Sequence, residues 1–392
     1  MKSSSWIRAM FEEGEKLKKK HGVENIFDFS LGNPITEPPE SLKEELIRVA
    51  SSRAQGMHRY MTNSGYDDVR EDVAHYLVET TGIPFTKDHI VMTVGAAGGL
   101  NVVFKSILDP GDEVIVPCPF FVEFMFYISN HGGVMKLVDT EDDFHLDIDK
   151  IKAAITKKTK AILINSPHNP TGVVYNEEEL RELADMLHEK NKKGHRIYII
   201  ADEAYRKIIY NGTKLPILAN LYEDTVTVTC HSKDLGLAGE RIGYIAMSPH
   251  IKNVRSLIDA TIFANRILGF INAPAIIQRV VAKFQRNSVD IMDYQKKRDA
   301  IYNVLVESGF EVVKPQGAFY IFPKSPIPDD VQFVKTMLQH HILTVPGVGF
   351  GKPGYFRLAY CVHMDVIEKS RPYFKEVGDM LRNGQKLSRI SD

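Results

Sequence analysis

Charge of one sign, cysteine and long apolar runs are all scarce in this 392-residue chain, and each shortage excludes a class of protein. Lysine plus arginine (49) nearly cancels aspartate plus glutamate (50), leaving a net charge of −1. No global field therefore draws the chain to nucleic acid or to an anionic membrane, and a charged ligand must be held by local groups. The three cysteines, Cys118, Cys230 and Cys361, are an odd number without CxxC spacing. That suits reduced thiols better than a disulfide framework. Fourteen histidines include no HExxH or comparable spacing, so His168, His231 and His363 are expected as structural or site-rim groups rather than metal ligands. No apolar run reaches membrane-spanning length, and Met1 to Glu13 lacks the apolar core of a signal peptide. The expectation is a cytoplasmic protein.

What is present is a long alternation of strand and helix patterns. Residues 4–20 carry apolar positions at helical spacing and end in Lys18-Lys19-Lys20, a charge run that suits a solvated helix C-terminus. Asp28 to Leu31 reads as a short strand delivered into the turn Gly32-Asn33-Pro34, and Pro38-Pro39 open a helix through Ala50. Strands are expected at 90–94, 113–116, 134–138, 160–165 and 196–201. Between them lie helices at 100–108, 120–130, 147–155 and 176–192. Such alternation implies a largely parallel, doubly wound sheet with function at the strand C-terminal ends. Gly95-Ala96-Ala97-Gly98-Gly99, between the first of these strands and its helix, offers an anion cradle of free N–H groups. It is neither a GxGxxG turn nor a P-loop with its lysine. From about residue 285 the texture changes to a long charged helix, 290–307. Short strands at 310–313, 318–322, 343–345 and 355–359 follow, with helices near 329–340 and 364–382, a smaller α+β domain. The polar tail Asn383 to Asp392 is expected to fray.

The stretch from Cys230 to Gly243 stands apart. Lys233 follows the β-branched run Thr225 to Thr229, which places it where a buried strand spills into a loop. A lysine held there near Arg241 can stay partly deprotonated and form an imine with an aldehyde. In isolation, Asp202-Glu203 at a strand end would be a helix N-cap, Asn169-Pro170 a turn and Arg357 an ion-paired structural residue.

Four motifs occur in order: Ser166-Pro167-His168-Asn169-Pro170-Thr171-Gly172, Asp202-Glu203-Ala204-Tyr205, Ser232-Lys233 with Gly239-Glu240-Arg241-Ile242-Gly243, and Phe356-Arg357-Leu358-Ala359-Tyr360. Together they resemble the fold-type I pyridoxal-phosphate aminotransferases, class I/II of the aspartate aminotransferase superfamily, over essentially the whole chain. The resemblance implies an α/β fold: a three-layer α/β/α large domain with a mostly parallel, seven-stranded-type sheet, plus a smaller α+β domain. The expected division is an N-terminal arm with part of the small domain (1–45), a large pyridoxal-phosphate-binding domain (46–284) and a small C-terminal domain (285–392). Lys233 would hold the cofactor aldehyde and shuttle the proton, Asp202 would pair with the protonated pyridine nitrogen, and Tyr205 and Asn169 would bond the ring oxygen. Arg241, Tyr60 from the partner of a homodimer, and main-chain groups of Gly95, Ala96 and Ala97 would hold the phosphate. Phe121 would stack on the ring, Arg357 would clamp the substrate α-carboxylate, and Gly32-Asn33 would close over it.

Departures from the family pattern are informative. Cys230 replaces a phosphate-contacting serine, Ala97 lacks the usual hydroxyl, and Glu240 stands where many relatives carry tryptophan. The resemblance implies amino transfer between an L-amino acid and a 2-oxo acid, 2-oxoglutarate/glutamate being one pair. Aspartate leads, with Arg279, or in its place Arg266, as candidates for the distal carboxylate. An aromatic or alanine aminotransferase, or a carbon–sulfur lyase on the same scaffold, stays open, because fold does not fix the reaction.

Overall fold

The computed structural model describes residues 6–382; the tail from Asn383 lies outside them. The described strands are, in chain order, β1 (Phe27–Asp28), β2 (Ile90–Thr93), β3 (Glu113–Cys118), β4 (Val134–Asp139), β5 (Thr159–Asn165), β6 (Tyr198–Asp202), β7 (Thr225–Cys230), β8 (Gly243–Met247), β9 (Tyr320–Ile321), β10 (Ile342–Leu343), β11 (Val345–Pro346) and β12 (Phe356–Ala359). Seven of them form one sheet in the order β2-β8-β7-β6-β5-β3-β4. The neighbours from β7 to β4 are parallel, and β8 alone runs antiparallel to both β2 and β7.

Alternation along the central strands explains the three layers. Leu163 and Ile200 face a core shared with Leu100, Phe104 and Ile258 of the helices Gly95–Ile107 and Val254–Ile267. Their neighbours Ile162, Ile164, Ile199 and Ala201 face the opposite core, packed on Leu180, Leu183 and Leu187 of the helix Glu177–Lys192. A strand buried on both faces must be apolar throughout, which is why these strands read as continuous hydrophobic runs.

A second set of elements is built on the antiparallel sheet β11-β12-β9 and the parallel pair β1-β10. Its core joins Met10 and Phe27 from the N-terminal part of the chain to Ile301, Phe310, Phe333, Phe356 and Phe374. The 310–313 segment is not a strand. Phe310 closes the helix Ile291–Glu307, its N–H donating to Leu305 O, and its ring meets Phe333, Phe356 and Phe374 edge-on. The side chain is fixed by aromatic packing, and the backbone is left without a ladder.

Three other expectations change. The helix expected from Leu100 begins at Gly95, because Gly99 is needed for close packing on the sheet: a Cβ there would come within 2.7 Å of Val228 Cγ1. The helix expected from Phe120 begins at Phe124, since Phe120 N–H is already committed to Phe350 O at 3.1 Å. Lys233 lies on a short helix, His231–Asp234, rather than in a loop. The strand β8 and the helix Val254–Ile267 were not foreseen, and β8 matters for the site. Cys230 of β7 pairs with Gly243 of β8, so residues 231–242 form an excursion pinned at its base. Only glycine fits at 243, where a Cβ would lie 2.3 Å from Thr229 O.

Candidate active site

Strand register assembles the site. Asn165 of β5 pairs with Asp202 of β6, and Asp202 with Val228 of β7, so three strand ends put Asn165, Asp202 and Cys230 side by side at the sheet's C-terminal edge. There they line a cavity of about 280 Å³, together with Lys233, Tyr205, Asn169, Arg241, Arg357, Phe121, Ala96, Ala97 and Gly32.

Lys233 Nζ donates to Gly32 O at 2.9 Å and lies 5.3 Å from the centroid of the Phe319 ring. Burial lowers its pKa, the charges of Arg241 and Arg357 add to that, and the thiols of Cys230 and Cys361 oppose it. A nucleophilic amine needs this direction of shift. Gly32 is required at that position, because a Cβ would fall 1.9 Å from the Tyr320 hydroxyl.

Asp202 is buried, and Oδ1 accepts only a long 3.3 Å hydrogen bond from Ala204 N–H. Burial pushes its carboxyl up to about 7, the neighbouring Glu203 charge adds to the rise, and the Ala204 N–H opposes it. A carboxylate in this condition is suited to a cationic nitrogen delivered by a ligand. Asn165 Nδ2 donates to Asp202 O at 3.0 Å, and Asn169 N–H donates to Asn165 Oδ1 at 2.9 Å, which ties the first motif to the strand end that carries Asp202.

Arg357 is buried on β12 between the rings of Tyr320 (4.6 Å) and Phe350 (4.7 Å). Nη1 donates to Asn169 Oδ1 at 3.2 Å and Nη2 to Ser30 O at 2.7 Å, while Nε is buried without a partner. A guanidinium held in plane with a free donor can take a carboxylate. At the other end, Arg241 donates to Ala238 O and Val94 O at 3.0 and 3.3 Å. Gly95, at φ +78°, leaves room for it, since a Cβ there would meet Nη2 at 2.6 Å. The helix Gly95–Ile107 begins here, so its first N–H groups and one guanidinium face the same space, a phosphate-sized anion site. Tyr205 and Tyr320 share a 2.9 Å hydroxyl hydrogen bond.

The cavity does not gather every expected residue. Tyr60 is 87% exposed and Asn33 contributes a carbonyl that accepts from Cys361 Sγ; neither lines the cavity. Arg279, on the helix Ala275–Ala282, has its guanidinium 3.8 Å from the centroid of the Tyr66 ring. Arg266 is exposed near the end of the helix Val254–Ile267. His168 is buried with Nδ1 2.7 Å from Thr171 Oγ1. The cavity also contains Glu123, Tyr127, Asn165, Ser232 and Tyr320, which sequence reasoning did not select. Asn165 adjoins a quoted motif and Ser232 lies within one, which was a usable signal. Glu123, Tyr127 and Tyr320 carried none.

A pyridine nitrogen for Asp202, a phosphate for Arg241 and the helix start, an aldehyde for Lys233 and an aromatic face for Phe121 are the groups of pyridoxal phosphate, and the donor set fits that cofactor. Fold and site define a pyridoxal-phosphate-dependent aminotransferase. The chain belongs to the aminotransferase class I and II family, which matches residues 24–369. A probable aspartate aminotransferase of Methanocaldococcus jannaschii is 33% identical over 361 residues, covering 90% of this chain and 93% of the relative. An aspartate aminotransferase of Bacillus subtilis is 32% identical over 366 residues, covering 88% and 89%. Among solved structures, an amino transferase from Eubacterium rectale superposes with a TM-score of 0.93 at 35% identity, covering 96% of this chain and 95% of that one. Thermus thermophilus aspartate aminotransferase with maleate gives 0.84 at 29% identity, covering 95% and 96%.

Proposed function

We propose that this enzyme moves an amino group between aspartate and 2-oxoglutarate, as a cytoplasmic homodimer with shared sites. The observation that carries the amino-transfer chemistry is the convergence of Lys233, Asp202 and Arg357 on one cavity. Pyridoxal phosphate, when bound, supplies an aldehyde that condenses with amines and a ring that withdraws electrons from the substrate Cα. Asp202 keeps the ring nitrogen protonated by placing a buried negative charge beside it. Arg357 binds the α-carboxylate and is oriented by Asn169 and Ser30 O, which fixes the substrate Cα relative to Lys233 Nζ. Lys233, whose burial favours the uncharged amine, takes the Cα proton and returns it. Tyr205, tied to Tyr320, and Asn169 hold the ring hydroxyl oxygen.

The aspartate reading is supported by the names of the relatives and by the maleate complex of one neighbour. Among the residues lining the cavity the cations are Lys233, Arg241 and Arg357, so a distal carboxylate needs another, and we assign it to Arg279 reaching from the partner. Incubating the enzyme with an amino acid panel and 2-oxoglutarate should yield glutamate, fastest from aspartate, with no sulfide from cysteine. Arg279→Ala should weaken kcat/KM for aspartate by about 2 to 5 kcal/mol and barely change alanine or phenylalanine. Equal changes on all three substrates, in this variant and in Arg266→Ala, would remove the distal-carboxylate role.

Support for the dimer comes from a loop and a helix that are tied together and each carry exposed side chains. Asn63 and Asn265 tie the Tyr60 loop to the helix Val254–Ile267, Asn265 Nδ2 donating to Asn63 O at 2.8 Å, and Phe263 and Ile267 of that helix are exposed. Exposed apolar side chains on this helix and a solvent-facing tyrosine in the loop tied to it fit burial against a second copy. Sedimentation velocity is expected to find a species of twice 44.3 kDa; a fully active monomer would end the shared-site reading.

A further inference from the structure

Once the charges of the cavity are assigned as above, one remains. Asp202 has the ring nitrogen, Arg241 the phosphate, Arg357 the α-carboxylate and Lys233 the reacting carbon, but Glu123 also lines the cavity. It sits just before the helix Phe124–Ser129, on a segment held rigid at both ends. On one side Phe120 N–H donates to Phe350 O, and on the other Phe124 is buried and meets Phe121 edge-on at 5.4 Å. Its Oε2 is buried and has no hydrogen-bond partner. The groups within its electrostatic reach are Arg357 and the phenols of Tyr127 and Tyr320. Burial raises its pKa, and its own backbone N–H and the Arg357 charge only partly offset this. A carboxyl group withdrawn from water without a donor is costly, so a ligand that brings a donor to it gains affinity.

We propose that Glu123 is a specificity-determining residue that admits L-amino acids with a cationic side chain, whose terminal ammonium supplies the donor that Oε2 lacks. This rests on the amino transfer proposed above and adds a second substrate class to it. The same carboxylate opposes a distal carboxylate by like charge, so aspartate depends on the partner's Arg279 while a cationic substrate does not.

The test uses the holoenzyme without an amino acceptor, following the change in cofactor absorbance in a single turnover. Ornithine and norleucine differ in replacing an ammonium by a methyl group at nearly constant shape, and aspartate is the anionic comparison. In wild type, ornithine should exceed norleucine in rate constant over half-saturation concentration. E123Q keeps the side-chain shape and removes the charge, and should lower the ornithine-to-norleucine ratio at least about tenfold, mainly through half-saturation, while the aspartate rate rises. E123D, which keeps the charge, should retain part of the preference. A ratio that E123Q leaves unchanged overturns the role of Glu123 and leaves amino transfer standing. A wild type whose absorbance no amino acid alters removes amino transfer itself, and this proposal with it.

Discussion

Lys233→Ala is expected to fold normally and to turn over about 10⁴-fold more slowly, or worse, because both the covalent and the proton-transfer functions rest on one amine. No other group in the cavity can take its place. The remaining cations lining it are the guanidiniums of Arg241 and Arg357, which do not lose a proton in proteins. The loss should cost the fold little, since Lys233 is a desolvated group whose one protein hydrogen bond is to Gly32 O. Purified wild type should absorb in the visible, and borohydride treatment followed by peptide mass spectrometry should place the cofactor on Lys233. A label on another residue, or a variant within tenfold of wild-type rate, would refute the assignment.

Asp202→Ala and Asp202→Asn should slow removal of the Cα proton by several orders of magnitude in isotope-sensitive half-reactions while cofactor still binds through the phosphate. Without the carboxylate the ring nitrogen has no counter-ion. The same residue makes a prediction about stability. Its carboxyl rises from an ordinary 3.8 to about 7 in the folded chain, so between those values the folded state holds a proton that the unfolded state releases. The stabilisation from this neutral group is complete below about pH 4 and is lost as pH rises through about 7, on the order of 4 kcal/mol. Cofactor-free enzyme should therefore melt at a higher temperature at pH 5 than at pH 8, and Asp202→Asn should flatten part of that slope. Glu123 and Glu203, raised in the same direction by burial, should leave a remainder. A slope that Asp202→Asn leaves untouched would show that the carboxyl is not buried unpaired.

The motif residues could be read from the chain because each combines a residue type with a local backbone requirement. Lys233 follows a β-branched strand, Asp202 ends another, and Gly95-Ala96-Ala97 lie between a strand and the helix after it. Glu123, Tyr127 and Tyr320 could not, since an acid before an aromatic run and tyrosines in apolar segments look the same whether they face solvent, core or substrate. Arg357 lies between these cases. Its motif marked it, but its buried setting depends on Tyr320, Asn169 and Ser30, which lie far from it in sequence, as well as on nearby Phe350.

The sequence by itself determined the doubly wound sheet, because strands covered on both faces must be apolar throughout, and its four ordered motifs, through their resemblance to a known family, pointed to the chemistry of the cofactor site. The tertiary structure alone decided the antiparallel return of β8 that pins the Lys233 excursion at Cys230 and Gly243. It also decided the early start of the helix at Gly95 and the isolation of Glu123 beside Arg357. Each of these depends on which backbone or side chain arrives opposite, a pairing between distant segments that local propensity and spacing do not encode.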